Sequence, residues 1–191
     1  MLAEGALKAH IQGKGQGLLA TQENGAMRKW TALGPFVGKL TSGTDIASGK
    51  YHLRVSDAGS KTVMMYSPPS VCPLGSLNEP NHGERANCHL IKFTLADTHD
   101  WKLMTGDEAI DEVGMLWVVT ARRIPREGDA SEELTIHYGD EYCREDYPAD
   151  YRAMPPRGDT RPNAKEMASI ISEYCSKYGV DYAKLVRAYG V

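Results

Sequence analysis

The sequence predicts a mostly-β domain of the α+β class that carries a short helical appendage at its C-terminal end. Three observations lead there. At 191 residues, and about 150 residues per domain, the chain amounts to one domain and a fraction. From residue 16 to residue 138, short β-branched and aromatic runs alternate with Gly, Pro, Ser and Asp, the pattern of strands separated by turns. After residue 142 the pattern changes to a polar, proline-punctuated connection and then to apolar residues at helical spacing.

The β-type runs fall at residues 18–21, 36–40, 51–55, 62–66, 89–95, 115–121 and 134–138, and none repeats another. The 19 glycines and 10 prolines fit a loop-rich chain. Tyr147-Pro148, Pro155-Pro156-Arg157-Gly158 and Arg161-Pro162 then mark an irregular connection, because proline fixes its backbone and donates no hydrogen bond. Asn163 caps a predicted helix, with Glu166 three residues on, and Met167, Ile170, Ile171 and Tyr174 recur at helical spacing until Gly179 stops the run. Asp181 caps a second short helix bearing Leu185, Val186 and Tyr189. The expected division is a body over residues 1–142 and a connection with helices over 143–191. That helical stripe is too apolar to leave in water, so it is expected to close or pack on the body.

Composition narrows the function classes. Hydrophobic residues at 41% and charged residues at 25% are ordinary globular usage. Lys and Arg number 22 against 25 Asp and Glu, a net charge of −3 without a dense basic run, so direct nucleic-acid binding is not expected. The longest apolar run, residues 113–119, contains Gly114 and falls far short of the roughly 20 residues of a membrane span. The first ten residues do not form a secretory signal. A soluble, intracellular protein with no membrane partner is expected. Cys72, Cys88, Cys143 and Cys175 lie 16, 55 and 32 residues apart, which is neither a zinc-knuckle nor a compact disulfide spacing, so they read as reduced thiols. Cys72, His82, Cys88 and His89 form the one conceivable metal group and lack ligand spacing; no metal is expected.

Three separated motifs carry the chemistry. Gly13-Lys14-Gly15-Gln16-Gly17-Leu18-Leu19-Ala20 is a glycine-rich turn feeding a strand, where a ligand can approach the backbone closely. Alone it reads as a plain β-turn, and it is not a dinucleotide fingerprint because no helix follows. Leu77-Asn78-Glu79-Pro80-Asn81-His82-Gly83-Glu84-Arg85-Ala86-Asn87-Cys88 is the second. The third runs from Ala121-Arg122-Arg123-Ile124-Pro125-Arg126-Glu127-Gly128 to Glu132-Glu133-Leu134-Thr135-Ile136-His137-Tyr138-Gly139.

In this order the motifs resemble those of the SET-domain protein lysine methyltransferases, over residues 13 to about 142. The family's glycine-x-glycine start, its Asn-His-Ser-Cys-x-Pro-Asn-Cys stretch and its closing Glu-Glu-Leu-Thr-x-x-Tyr-Gly all have counterparts, the last being the most specific. The resemblance implies a SET-type fold of several small β-sheets with a knot-like C-terminal crossing. It implies S-adenosylmethionine as cofactor, on the backbone of Gly15, Gln16 and Gly17, with Asn78 or Asn81 and His82 opposite and Tyr142 against the adenine. It implies Tyr138 as the catalytic residue at the inner end of a lysine channel that Tyr51 would line, with Ile136 where many relatives carry a Phe or Tyr that limits how many methyl groups fit, so that an aliphatic side chain there leaves the number of methyls open. The implied partner is a basic peptide or protein, a histone tail first, which would make the protein nuclear; with another target it would be cytoplasmic. A non-histone lysine, or a SET-like peptide-binding module without turnover, are the alternatives.

The sequence also departs from the family. Gly83, Glu84 and Ala86 replace the family's Ser, Cys and Pro, and Leu77-Asn78 competes with Asn81-His82 for the cofactor position. Asp129-Ala130-Ser131 lengthen the turn before Glu132. Leu40 stands where the family usually has tyrosine. No cysteine-rich zinc cluster follows the tyrosine motif, so residues 143–191 are expected to close the site. Asp107-Glu108 with Asp111-Glu112, and Asp140-Glu141 with Glu145-Asp146 and Asp150, would draw a basic peptide if they rim the channel, and are solvated loop charge otherwise.

Overall fold

Alternation of side chains along a strand lets one strand feed two cores, and the central strand of this protein does so. The computed structural model describes residues 2–43, 52–58, 61–98, 102–139, 144 and 147–191. In chain order the strands are β1 (Ala6–Ile11), β2 (Gly15–Thr21), β3 (Ala32–Pro35), β4 (Lys39–Gly43), β5 (His52–Ala58), β6 (Lys61–Tyr66), β7 (Cys88–Phe93), β8 (Met115–Thr120) and β9 (Ser131–Leu134). The helices are α1 (Glu108–Asp111), α2 (Ala164–Tyr178) and α3 (Tyr182–Tyr189). Among the described residues the strands form three small antiparallel sheets, ordered β1-β2-β9, β3-β8-β7 and β4-β6-β5. The molecule is therefore mixed α+β, several small sheets followed by a helical C-terminal region.

All six residues of β8 are buried. Leu116 and Val118 enter a first core with Leu18, Leu33, Leu74, Leu77, Leu134 and Ile136. Met115, Trp117 and Val119 point the other way, into a second core with Ile91 and Phe93 of β7 and the buried stripe of α2. The continuous apolar run at residues 115–119 thus marks a strand covered on both faces. The predicted helix starts and stops as its residues dictate. The Asn163 side chain accepts from the Glu166 amide at 2.9 Å while the Glu166 carboxylate accepts from the Asn163 amide at 2.8 Å, a complete capping box. Gly179 ends α2 at φ 62°, a left-handed turn that glycine adopts without strain. Asp181 caps α3 by accepting from Lys184 N at 3.1 Å. Trp117 meets Tyr174 edge-on at 5.4 Å, locking α2 to the sheet.

Some strands differ from the periodicity. The run expected over 134–138 is a strand only through Leu134; beyond it the backbone bonds to irregular chain, with Thr135 N donating to Asn87 Oδ1 at 2.9 Å and Ile136 N to Asn78 O at 3.0 Å. The run expected over 36–40 divides: Phe36 N still donates to Leu116 O at 2.8 Å, and the chain then crosses to the third sheet at Lys39. β1 and β3, of sequence ALKAHI and ALGP, carry too little β-branched or aromatic character to announce themselves and are held by their partners β2 and β8. A knot-like crossing of the chain around Tyr138 under a preceding loop is not shown among the described residues, which leave out residues 140–143 and 145–146. No helix among the described residues is long and apolar enough to cross a membrane.

Two titratable groups tie stability to pH. Burial, with Arg161 adding to it, holds the His89 imidazole below its ordinary value of 6.5, and its Nε2 stands 2.9 Å from Thr160 Oγ1. Glu132 is partly buried, which alone would raise its carboxyl, but bonds from Arg122, Asn87 and the Arg126 amide win and hold it below its ordinary 4.5. Both contributions are complete above the ordinary values and are lost as pH falls through the depressed ones. The urea midpoint is expected to decline in two steps, from just below pH 6.5 and again below pH 4.5. H89Q should remove the first step and E132Q the second; an unchanged acid limb in both variants would overturn this assignment.

Candidate active site

The first motif is the tip of the β1–β2 hairpin, where Ile11 pairs with Gly15. Gly15 has φ +85°, and a Cβ built on it would meet nothing within 4 Å, so its backbone faces open space. Gly17 is the opposite case. A Cβ there would fall 2.4 Å from Ile11 Cγ1 and 2.9 Å from Asn78 Nδ2, so only glycine lets the second motif come this close.

That second motif arrives from a short 3₁₀ turn over Pro73–Ser76, which buries Leu74 and delivers Leu77 to the first core. The Asn78 amide donates to Gln16 O at 3.3 Å and to Glu133 Oε1 at 2.8 Å, joining all three motifs at one side chain. Of the two asparagines left open by the sequence, Asn78 stands at the glycine turn. Asn81 and His82 lie in an exposed turn closed by Glu84 N donating to Asn81 O at 3.0 Å. Neither bonds to the glycine turn among the described residues; His82 instead sets its ring edge toward Tyr151 at 6.4 Å.

Tyr138 is half-buried against the first core. Its hydroxyl donates to Leu77 O at 2.5 Å and its backbone N–H to Glu79 Oε1 at 3.0 Å. Ile136, two residues earlier, is buried in the core at 3% exposure. Leu40 is an exposed residue of β4. Tyr51 and Tyr142 lie outside the described residues, as does Cys143.

Charge around the tyrosine is organised by Glu79, Arg144 and Lys14, none of them among the expected site residues. The side chain of Glu79 is 1% exposed. It receives Arg144 in a fork, Nε to Oε2 at 2.9 Å and Nη2 to Oε1 at 2.7 Å, while the same Nη2 donates to Gly139 O at 2.7 Å. Lys14 reaches from the glycine turn to Glu79 O and to Glu133 Oε2, each at 2.8 Å. Asn87, also buried, donates to Glu133 O at 2.7 Å and accepts from Thr135 N, fixing the chain that leads to Tyr138. No local signal marks Glu79, which sits in the polar run Asn78-Glu79-Pro80-Asn81 and reads there as solvated charge.

The closing role expected of residues 143–191 divides between their parts. The helices pack on the second core, across β8 from Tyr138, and do not line this site. The connection does lie along the second motif: Gly83 N donates to Arg152 O and Ala86 N to Met154 O, each at 2.8 Å, and Tyr151 OH donates to Pro80 O at 2.5 Å. Burial first, and the nearby Glu79 charge second, push the Tyr151 phenol up, so it remains a donor. Tyr147 tilts against Tyr151 at 4.5 Å. The first acidic group is elsewhere. Asp107 caps α1 and Asp111 is buried against Thr105, in a helix that packs on α3, so it does not rim the tyrosine. Residues 140, 141, 145 and 146 of the second group lie outside the described residues, and Asp150 is exposed.

Cys72, Cys88 and Cys175 are buried free thiols, and burial pushes those of Cys88 and Cys175 up, the latter to about 11, so both stay protonated. Cys72 and Cys88 lie in the first core while His82 is exposed and His89 bonds Thr160, so these four do not assemble. Among the described residues no three His, Cys, Asp or Glu side chains group to hold a metal ion. No family model matches the chain, and no curated protein matches it.

Proposed function

We propose that the protein is an S-adenosylmethionine-dependent protein lysine methyltransferase of the SET-domain kind, acting on a basic peptide, with a histone tail the first substrate to try. One observation carries the reading: residues 16, 78 and 138, from three motifs far apart in sequence, meet through Asn78 on Gln16 and Tyr138 on the carbonyl beside Asn78.

The residues fit the cofactor in one testable respect. The backbone at Gly15 is open to a ligand, whereas Gly17 is filled by Ile11 and Asn78, and the Asn78 amide spends its donors on Gln16 O and Glu133 Oε1, so the Gly15 and Gln16 backbone and, as an acceptor, Asn78 Oδ1 are the groups that would hold it. When bound, S-adenosylmethionine supplies an electrophilic methyl on a sulfonium sulfur. The acceptor amine has an ordinary pKa of about 10.4 and must be neutral to attack, and a poorly solvated channel favours that form by penalising the ammonium. With the Tyr138 phenol donating its proton to Leu77 O, the part left to its oxygen in this reading is to accept an amine N–H of the substrate. Fixing that oxygen in advance removes part of the entropic barrier to in-line transfer. No strong base is required at the reacting nitrogen, whose proton passes to water before transfer.

The test is transfer of labelled methyl from S-adenosylmethionine to a protein extract and to histones, with mass spectrometry of the acceptor and calorimetry of cofactor binding. Label on lysine is expected. Absence of both label and binding overturns the reading.

A further inference from the structure

Glu79 is the point where the three motifs are tied together. Its carbonyl accepts from Lys14 of the glycine turn, its carboxylate accepts from the Tyr138 amide, and its neighbour two residues back, Leu77, accepts from the Tyr138 hydroxyl. The tyrosine is thereby held at both ends by one short segment, amide at Glu79 and phenol at Leu77. Arg144 completes the frame from the far side, bonding the Glu79 carboxylate through two nitrogens and the Gly139 carbonyl through one of them. Both main-chain groups that flank the Tyr138–Gly139 peptide, the N–H before it and the C=O after it, are thus pinned.

We propose that Glu79, clamped by Arg144, is a positioning residue that sets the Tyr138 hydroxyl, and that this ion pair, its carboxylate buried and its guanidinium partly exposed, is what fastens Arg144 and Gly139 to the site. The kinetic part of this inference rests on the methyltransferase reading; the positional part does not. Stability gives little reason to keep such a pair, since taking the Glu79 carboxylate, and much of the guanidinium, out of water offsets most of what their attraction returns. Specificity does give a reason. A forked guanidinium on a planar carboxylate fixes direction as well as distance, which a hydrophobic contact at the same place would not.

The experiment uses the full chain labelled with [¹⁵N]tyrosine, the Tyr138 amide being assigned by its disappearance in Y138F. Amide exchange is followed in the wild type, E79Q and R144K, with the Tyr174 amide of α2 as an internal reference, alongside kcat and KM for the methylated peptide. E79Q preserves shape and removes the charge; R144K preserves the charge and removes the fork, and serves if E79Q fails to fold. Exchange at Tyr138 is expected to quicken at least tenfold in E79Q and less in R144K, with Tyr174 unchanged. Turnover should follow the same order, kcat falling about tenfold in E79Q while KM moves less than twofold. Unchanged exchange at Tyr138 in a folded variant overturns the proposal, as does a loss confined to thermal stability with kcat intact. If the wild type neither binds S-adenosylmethionine nor transfers methyl, the functional reading falls, and the exchange data alone decide whether Glu79 positions the tyrosine.

Discussion

Y138F is expected to lower methyl transfer at least tenfold, about 1.4 kcal/mol of transition-state stabilisation, without weakening S-adenosylmethionine binding by more than twofold. The ring stays: phenylalanine fills the same half-buried space against the first core, and the backbone amide keeps its bond to Glu79. What is lost is one oxygen. In the ground state that oxygen donates to Leu77 O, a carbonyl of a buried residue, so stability should drop by the cost of an unpaired buried acceptor, about 1–3 kcal/mol. Activity must therefore be measured at a temperature where the variant is fully folded by circular dichroism. The predicted signature is a fall in kcat with KM little changed, because the phenol is asked to act on the amine during transfer and not to bind the peptide. Equal turnover in the folded variant would return Tyr138 to the role of a packed aromatic.

The parts of this molecule that were legible in the sequence are those whose cause is local. The α2 and α3 boundaries follow from Asn163, Glu166, Gly179 and Asp181, each of which acts on backbone groups within one turn of itself. β8 could be read because a strand covered on both faces must be apolar throughout. β1 and β3 could not, since Ala, Lys, Gly and Pro carry no strand preference and pairing with β2 and β8 supplies what propensity lacks. The same division holds at the site. Residue types and spacing offered both Asn78 and Asn81, and only the fold shows that it is Asn78 that stands at the glycine turn, against a side-chain-free Gly17. Glu79 and Arg144 were illegible for a related reason: an ion pair between residues 65 apart leaves no periodic trace, and either residue alone reads as solvated charge.

Deleting residues 163–191 is expected to unfold the body and not merely to slacken the site. Met167, Ile171, Tyr174, Tyr182 and Val186 are each buried to within a few per cent against the outer face of β7 and β8. At about 1.5–3 kcal/mol per large side chain, those five represent roughly 7–15 kcal/mol, the scale of a whole domain's net stability of about 5–15 kcal/mol. Their removal would also leave Ile91, Phe93, Met115, Trp117 and Val119 facing water on one surface, an aggregation-prone patch. A truncation of this kind therefore cannot separate stabilising from closing, because no folded chain remains to bind cofactor. I171A can. Its side chain is fully buried, so truncation to alanine should cost about 2–5 kcal/mol and lower the urea midpoint accordingly. The cavity would open across β8 from Tyr138, in a core that shares neither Leu77 nor Ile136. S-adenosylmethionine affinity and kcat of the folded fraction are expected to stay within twofold of wild type. If I171A instead loses cofactor affinity or turnover while its circular dichroism remains native, then the helices act on the site through β8, and their role is more than support.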